Sequence, residues 1–192
     1  FEHSGDSKAW IDIGTAAISP QIHGTASAAN GERGLYLRGT AIATLNVMGG
    51  DVGLASLPGE LSTATTVRVM ENASLWIGNG VTLTTLHQYN GTVLLRCGAT
   101  TVLLYGGTIT TEENGAITTA TLRAGTFNYK STGNITTFNI YGGTLDLQQS
   151  GAARTIGTLN KYAGTYRILR NKEAVTITTE TPQDTYSESI RA

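Results

Sequence analysis

The sequence predicts an all-β fold built from a repeated pair of strands. The first observation is composition: the 192 residues include 24 Gly and 32 Thr. Thr is β-branched and favours strands, whereas Gly favours turns that need a positive φ angle. The second observation is a repeat, because "VLLYGGTITT" (102–111) and "FNIYGGTLDL" (138–147) share Tyr-Gly-Gly-Thr at their centres.

Composition and charge also exclude several classes of protein. Three prolines and a hydrophobic fraction of 40% argue against disorder. A net charge of −1 gives no reason to expect a nucleic acid or an anionic membrane as a partner. Cys97 is the only cysteine, so no internal disulfide can form, and no apolar run is long enough to predict a membrane span.

The repeat is clearest when the second glycine of each Gly-Gly-Thr is taken as an anchor. The anchors are Gly50, Asn72 (in place of glycine), Gly91, Gly107, Gly125, Gly143 and Gly164, spaced 16–22 residues apart. Six residues before each anchor stands a threonine: Thr44, Thr66, Thr85, Thr101, Thr119, Thr137 and Thr158. The Asn72 unit fits if one residue is inserted, which brings Leu75 and Ile77 into register. The two Tyr-Gly-Gly-Thr segments are therefore members of a larger series.

Apolar residues in each unit alternate at positions −5, −3, +2 and +4 from the anchor, which indicates strands with one face inward. Each unit thus predicts a strand, a glycine turn, a second strand and a polar connection. Such units stack as coils of a parallel solenoid. At about 4.8 Å per coil, seven coils would make a rod roughly 34 Å long.

A right-handed parallel β-helix of about seven coils is the favoured architecture. A left-handed hexapeptide helix requires an aliphatic residue at every sixth position, and Arg123, Tyr129 and Tyr141 break that rule in the series that starts at Ile117. A β-sandwich or a Greek-key stack stays open as an alternative, because hairpin-linked strands would show a similar alternation.

The repeat divides the chain into three parts. Residues 1–38 match it poorly and are predicted to form an N-terminal cap or arm, because an open solenoid end exposes unpaired strand edges. Residues 39–170 form the β-solenoid. Residues 171–192 are predicted to form a C-terminal strand, "AVTITTE" (174–180), followed by a polar tail.

The search for catalytic residues predicts a protein that is not an enzyme. "GDSKAW" (5–10) resembles the first block of the GDSL lipases, but no histidine follows His87, so the triad of that family cannot be completed in its order. Ser7 is therefore interpreted as an N-cap or turn residue. A degraded polysaccharide lyase that uses Asp146 is a third, less favoured functional hypothesis.

Paired carboxylates of the glycosidase kind are not expected either. Asp146 is predicted to lie beside Asn128 and Arg167 on neighbouring coils, without an acidic partner. Glu112 and Glu113 are predicted to point in different directions from a polar connection. No metal or cofactor is expected, since the three histidines and Cys97 are scattered and the Gly-Gly pairs lack the Lys-Ser/Thr of a phosphate loop.

Position −2 is predicted to face outward and carries the candidate binding or subunit-interface residues. These are Met48, Met70, Tyr89, Tyr105, Arg123, Tyr141 and Tyr162. Three interpretations are open: a stacked ladder that stabilises the corner, a contact with another subunit, or a platform for sugar rings. Ice binding is disfavoured, because position −4 mixes Asn, Arg, His, Leu and Thr, although position −6 is always Thr.

The coils at 102–111 and 138–147, with their short Thr/Asn-rich connections, resemble the β-helical parts of two groups of proteins. One group is phage virion proteins, namely tailspikes, fibres and head-decoration proteins, and the other is bacterial surface passenger domains and adhesins. The resemblance lies in the repeat period and the residue composition over about residues 39–170. No family motif is matched residue by residue, so no functional residue carries over from it. It implies a rigid rod on a virion surface or outside the cell, and for phage members usually a homotrimer.

The expected function is accordingly that of a non-enzymatic structural protein of a virion surface, as a capsid-decoration or tail fibre/spike component. We expect a homotrimer whose terminal segments bind other virion structural proteins. The alternative is a carbohydrate-binding adhesin module, extracellular or on a cell surface, which would bind glycans through the tyrosine edge.

Overall fold

The computed structural model describes residues 9–15, 17–24, 34–148, 153–162, 166–169 and 174–181. These residues form eighteen β-strands, and no helix occurs among them. The strands are β1 (Ala9–Asp12), β2 (Gln21–Ile22), β3 (Leu35–Arg38), β4 (Ile42–Val47), β5 (Asp51–Leu54), β6 (Ser62–Val69), β7 (Ser74–Ile77), β8 (Val81–Gln88), β9 (Thr92–Leu95), β10 (Ala99–Leu104), β11 (Thr108–Thr111), β12 (Ile117–Leu122), β13 (Thr126–Tyr129), β14 (Ile135–Ile140), β15 (Gly143–Asp146), β16 (Arg154–Lys161), β17 (Tyr166–Leu169) and β18 (Val175–Thr181).

The strands build two parallel nine-stranded sheets that face each other across the core. All odd-numbered strands form one sheet and all even-numbered strands form the other, each in sequence order along the rod. In the repeat, from β4 to β17, each of seven coils contributes one strand to each sheet, and β1, β2, β3 and β18 extend the sheets at their ends. The result is a β-solenoid of about seven turns. The all-β solenoid predicted from the repeat is confirmed, and the right-handed sense of its coil stays a prediction.

The core consists of the columns that the alternation predicts to face inward. Position −5 is occupied in the even sheet by a column of residues with no exposed surface: Leu45, Val67, Leu86, Val102, Ala120, Phe138 and Leu159. Phe138 meets Phe127 of the odd sheet edge-to-face, with ring centroids 5.1 Å apart. Full burial of such a side chain contributes on the order of 1.5–3 kcal/mol to stability. The buried residues of successive coils form one cluster, so the core extends along the rod without a break.

The glycine anchors permit the tight stacking of the turns. Gly107 has a φ angle of +78°, and a Cβ on it would stand 2.2 Å from the carbonyl oxygen of Gly91 on the preceding coil. Both the left-handed conformation and the close backbone approach therefore require glycine. Gly91, Gly125 and Gly143 share the positive φ.

The unit with Asn72 departs from the predicted anchor. The insertion is confirmed, because Val52 pairs with Leu75 in the odd sheet. Asn72 itself does not take the place of the anchor glycine. Ala73 does, since the Ser74 N–H donates to Gly50 and the Thr92 N–H donates to Ala73. The positive φ, +49°, falls on Glu71 instead, because the extra residue moves the bend earlier in the turn.

The unit with Gly164 departs in the odd sheet. Thr144 pairs with Arg167, and Asp146 pairs with Leu169, so the prediction that Arg167 lies beside Asp146 is wrong. The segment between β16 and β17 is two residues longer than the matching segment between β14 and β15. The shift places Ile168, which has no exposed surface, in the core column, and burial of this apolar side chain explains the register.

The ends of the described chain extend both sheets. β1 and β3 pair through Ala9 and Leu35, so residues within the predicted N-terminal cap or arm continue the odd sheet. β18 confirms the predicted C-terminal strand and pairs with β16. There Lys161, whose side chain is almost fully buried, forms an ion pair of 2.9 Å with Glu180. The predicted tail beyond Thr181 lies outside the described residues.

Candidate functional site

The seven residues predicted at position −2 lie in one column along an edge of the rod. We call Met48, Met70, Tyr89, Tyr105, Arg123, Tyr141 and Tyr162 the edge ladder. Each directly follows an even-numbered strand, and its backbone N–H donates to the coil before it. Tyr105, for example, donates to Gln88 at 2.8 Å, and Arg123 donates to Leu104 at 2.9 Å. The backbone thus fixes one ladder residue per coil.

The side chains of the ladder stack on one another. The rings of Tyr89 and Tyr105 lie 5.1 Å apart at 7°, and those of Tyr141 and Tyr162 lie 4.2 Å apart at 2°. The guanidinium of Arg123 lies between the two pairs, 5.8 Å from the Tyr105 ring and 5.0 Å from the Tyr141 ring. Aromatic pairs and cation–π contacts each contribute on the order of 0.5–1.5 kcal/mol. The side chains of the ladder therefore stack in one series from Tyr89 to Tyr162.

The ladder presents ring edges to its surroundings. Tyr89 is 43% exposed and Tyr105 is 37% exposed, which is unusual for large aromatic residues. Because neighbouring ladder residues cover the ring faces along the rod axis, the rims and hydroxyl groups are the parts available for contacts. The arrangement suits a partner surface that packs against the edge, and it suits face-on stacking of sugar rings poorly.

A buried amide supports the corner beneath the ladder. Gln88 occupies the inward column at position −3, where the other coils carry mostly apolar residues, and it has no exposed surface. Its Nε2 donates to the carbonyl oxygens of Gly91 at 2.8 Å and Thr108 at 3.1 Å. The amide thereby ties consecutive turns together, a role that the repeat does not predict.

Arg68 and His87 lie beside each other on the flank of the ladder. Partial burial lowers the pKa of His87, and the neighbouring Arg68 guanidinium lowers it further. The His87 ring is parallel to that of Tyr89, with centroids 6.3 Å apart. An interaction with the neighbouring Tyr141 side chain raises the pKa of the Tyr162 phenol.

Threonine rows adjoin the ladder on the even sheet. The predicted row at position −6 runs in register through every pairing from Thr44 to Thr158 and continues to Thr179. The sequence analysis missed a second, exposed row one residue earlier, formed by Thr65, Thr84, Thr100, Thr118 and Thr136. The Thr-Thr dipeptides in the sequence are the signal for it. The two rows meet where the strand bends, and they do not form one flat Thr-x-Thr plane.

The opposite side of the rod carries a charge cluster that the sequence analysis described wrongly. Glu112 and Glu113 do not point apart, because both approach the Arg96 Nε atom, at 3.2 Å and 3.8 Å. The Arg96 guanidinium also lies 5.2 Å from the ring centroid of Trp76. The spacing of sixteen residues between Arg96 and Glu112, about one coil, is the signal that could have revealed the pair.

The phenol of Tyr129 and the thiol of Cys97 are buried inside the solenoid. Burial raises the pKa of the Tyr129 phenol to about 12, although the positive charge of Arg154 acts in the opposite direction. Arg154 lies over the Tyr129 ring at 4.9 Å and donates to the Leu147 carbonyl at 2.9 Å. Burial likewise raises the pKa of the Cys97 thiol to about 12, so this cysteine is a protonated core residue.

The remaining candidate residues form no further site. Asp146 is 7% exposed, lies between Asn128 and Leu169, and accepts a hydrogen bond from the Gln148 N–H at 2.9 Å. Within the described ranges no three His, Cys, Asp or Glu residues meet to hold a metal ion. Ser7 lies outside the described residues.

In the described part of the chain there is no helix with the length and apolar character to cross a bilayer. Comparison with known proteins finds no matching family model, curated protein or solved structure.

Proposed function

We propose that this chain is a non-enzymatic structural protein of a virion surface, acting as a capsid-decoration or tail fibre/spike component. The observation that carries the proposal is the pairing of consecutive coils into two parallel sheets over one unbroken core. A chain arranged in this way forms a stiff rod whose length grows with each coil. Such an object suits a structural role in which rods project from a larger particle.

The proposed assembly is a homotrimer whose subunits pack along the edge ladder. Tyr, Met and Arg are enriched in interface cores, and the ladder carries all three on a straight edge. Because each coil contributes one ladder residue, two parallel rods can contact each other along their whole length. The exposed rims of Tyr89 and Tyr105 supply apolar area and hydroxyl groups to such a contact.

The terminal segments are proposed to bind other virion structural proteins. Residues 1–8 and 182–192 lie outside the described residues, so the proposal rests here on the sequence, which departs from the repeat at both ends. The virion surface is the corresponding location.

The second candidate is a carbohydrate-binding adhesin module, extracellular or on a cell surface. The observation in its favour is the outward face of the even sheet, where the strands from β4 to β16 carry no acidic residue and are rich in Thr and Asn. Hydroxyl and amide groups in rows could hydrogen-bond a glycan beside the phenols. Stacking between ladder residues works against the sugar-platform version of this function.

Electron microscopy of the purified protein, combined with a glycan array, separates the two candidates. The structural function predicts end views with three lobes and no saccharide bound above background. A single rod that binds glycans, and loses them in the Tyr89→Ala/Tyr105→Ala variant with its circular dichroism unchanged, would favour the adhesin and contradict the trimeric rod.

A further inference from the structure

Two ladder tyrosines on consecutive coils are held as a cofacial pair of phenols. The rings of Tyr141 and Tyr162 are parallel within 2°, with their centroids 4.2 Å apart. The Tyr162 N–H donates to the Ile140 carbonyl at 2.9 Å, which fixes one corner against the next. Backbone and side chains thus hold the pair in one relative position.

This geometry brings the reactive carbons of the two rings together. In a tyrosyl radical much of the unpaired spin lies on the ring carbons ortho to the oxygen. Because the two residues occupy equivalent positions on consecutive parallel coils and their rings are parallel, the ortho carbons of Tyr141 face those of Tyr162 at about the ring separation. Both side chains are partly exposed, so an oxidant can take their electrons and water can take their protons.

We propose that Tyr141 and Tyr162 form a site of oxidative dityrosine cross-linking. Each phenol loses one electron and one proton, and the two radicals join through a new carbon–carbon bond between ortho positions. The two ring protons at this bond then move to the phenol oxygens. The two electrons pass to an oxidant of the peroxide class, so that hydrogen peroxide becomes two waters or persulfate becomes two sulfates.

Among the tyrosines whose side chains the structure describes, this pair is the favoured one. Tyr89 and Tyr105 are farther apart, at 5.1 Å, and less parallel, at 7°. The Arg123 cation separates Tyr105 from Tyr141 and interrupts the series of phenols. Tyr129 has no exposed surface. The cross-link would join the corners after β14 and β16 and restrict the unfolded chain between them, as a disulfide does.

The test oxidises dilute protein with a photo-excited one-electron oxidant and persulfate as the electron acceptor. The expected product is a single chain that has lost two hydrogen atoms, shows the blue fluorescence of dityrosine and unfolds at a higher temperature. Trypsin should release peptide 131–154 joined to peptide 162–167. Because the second peptide also contains Tyr166, fragment-ion spectra must place the bond.

Matched variants make the result decisive. Tyr162→Phe keeps a stacked ring but removes the phenol, and it should abolish this cross-link, whereas Tyr166→Phe should leave it unchanged. The proposal is overturned if the bond persists in Tyr162→Phe, if cross-links only join separate chains, or if peptides 69–96 and 97–123 are joined as fast through Tyr89 and Tyr105. The expected bond lies within one chain, and the protein is diluted before oxidation because subunit contacts along the ladder would restrict the access of the oxidant to both tyrosines.

Discussion

The two sides of the solenoid where the chain passes from one sheet to the other differ in their regularity. On the ladder side the segments 48–50, 89–91, 105–107 and 123–125 have three residues between strands, 141–142 has two, and 70–73 and 162–165 have four. On the opposite side, segment 55–61 has seven residues, 78–80 and 96–98 have three, and 112–116 has five. The range of lengths is narrower on the ladder side, and each ladder residue directly follows an even-numbered strand in constant register, so these residues stay in one column. The opposite side accommodates length changes and carries local charge pairs.

The largest effect that tests this difference comes from alanine in place of a turn glycine. Gly107 and Gly59 have nearly the same φ angle, +78° and +80°. A Cβ added to Gly107 would lie 2.2 Å from the Gly91 carbonyl oxygen, whereas a Cβ added to Gly59 would meet no atom within 4 Å. Gly107→Ala should lower the free energy of unfolding by about 3 kcal/mol or more, because strain and a backbone clash add. Gly59→Ala should cost about 1 kcal/mol, from strain alone.

Urea denaturation of the two glycine variants measures this difference. Similar losses for Gly107→Ala and Gly59→Ala would show that close stacking of the ladder-side turns adds nothing to stability.

A second effect separates a core tyrosine from the ladder tyrosines. The pKa of Tyr129 is about 12 in the folded chain and about 10 in the unfolded one. Between these values the unfolded chain binds fewer protons, so stability falls as pH rises, by at most about 3 kcal/mol for two pH units. Burial also raises the pKa of Cys97 from about 9 to about 12, so this thiol makes the stability begin to fall near pH 9.

Unfolding measured by urea from pH 8 to about 12 tests this linkage. At pH 8, Tyr129→Phe should lower the free energy of unfolding by about 1 kcal/mol, because it removes the hydrogen bond to the Gly133 carbonyl. Above pH 10, the free energy of unfolding of this variant should fall less steeply with pH than that of the wild type. An unchanged alkaline slope in Tyr129→Phe would show that its phenol is not the group responsible.

A third, smaller effect concerns the cation inside the ladder. Arg123→Ala removes contacts to two tyrosine rings and should cost about 1–2 kcal/mol of folding free energy. Arg68→Ala is the matched control, because Arg68 lies on the same sheet outside the ladder. Thermal unfolding of both variants gives the comparison, and an equal loss in Arg68→Ala would contradict a special role for the stack.

The smallest effect is expected on the opposite side of the rod. Arg96 and the two glutamates are about one-third exposed, so Arg96→Ala should cost no more than about 1 kcal/mol. Added salt should reduce this cost, because mobile ions screen exposed charges. A cost that is unchanged at high salt would assign it to packing of Arg96 on Trp76 instead.

The sequence predicted the features that depend on constant spacing. The inward columns, the threonine row and the seven ladder residues all follow from one period, because a parallel register repeats the same neighbour on every coil. The features it missed depend on changes in length. The shift of Arg167 away from Asp146 follows from two extra residues, and the bend at Glu71 follows from one.

Contacts across the variable connections also depend on more than the inward and outward alternation of the strands. Glu112 and Glu113 are adjacent in sequence, and only the register of β9 and β11 brings both to Arg96. Gln88 likewise acts on the turns of two coils. Side-chain geometry of this kind depends on the relative placement of coils, which the period alone does not specify.

The central claim is that copies of the chain associate along the ladder, and molar mass in solution tests it most directly. Light scattering should give a trimer for the wild type, three times 20.2 kDa or about 61 kDa. Ala124→Glu adds a carboxylate at an exposed residue beside the ladder and should yield monomers, whereas Ala116→Glu, exposed on the opposite side, should stay trimeric. A 20.2 kDa wild type, or a trimer that survives Ala124→Glu, would contradict the account.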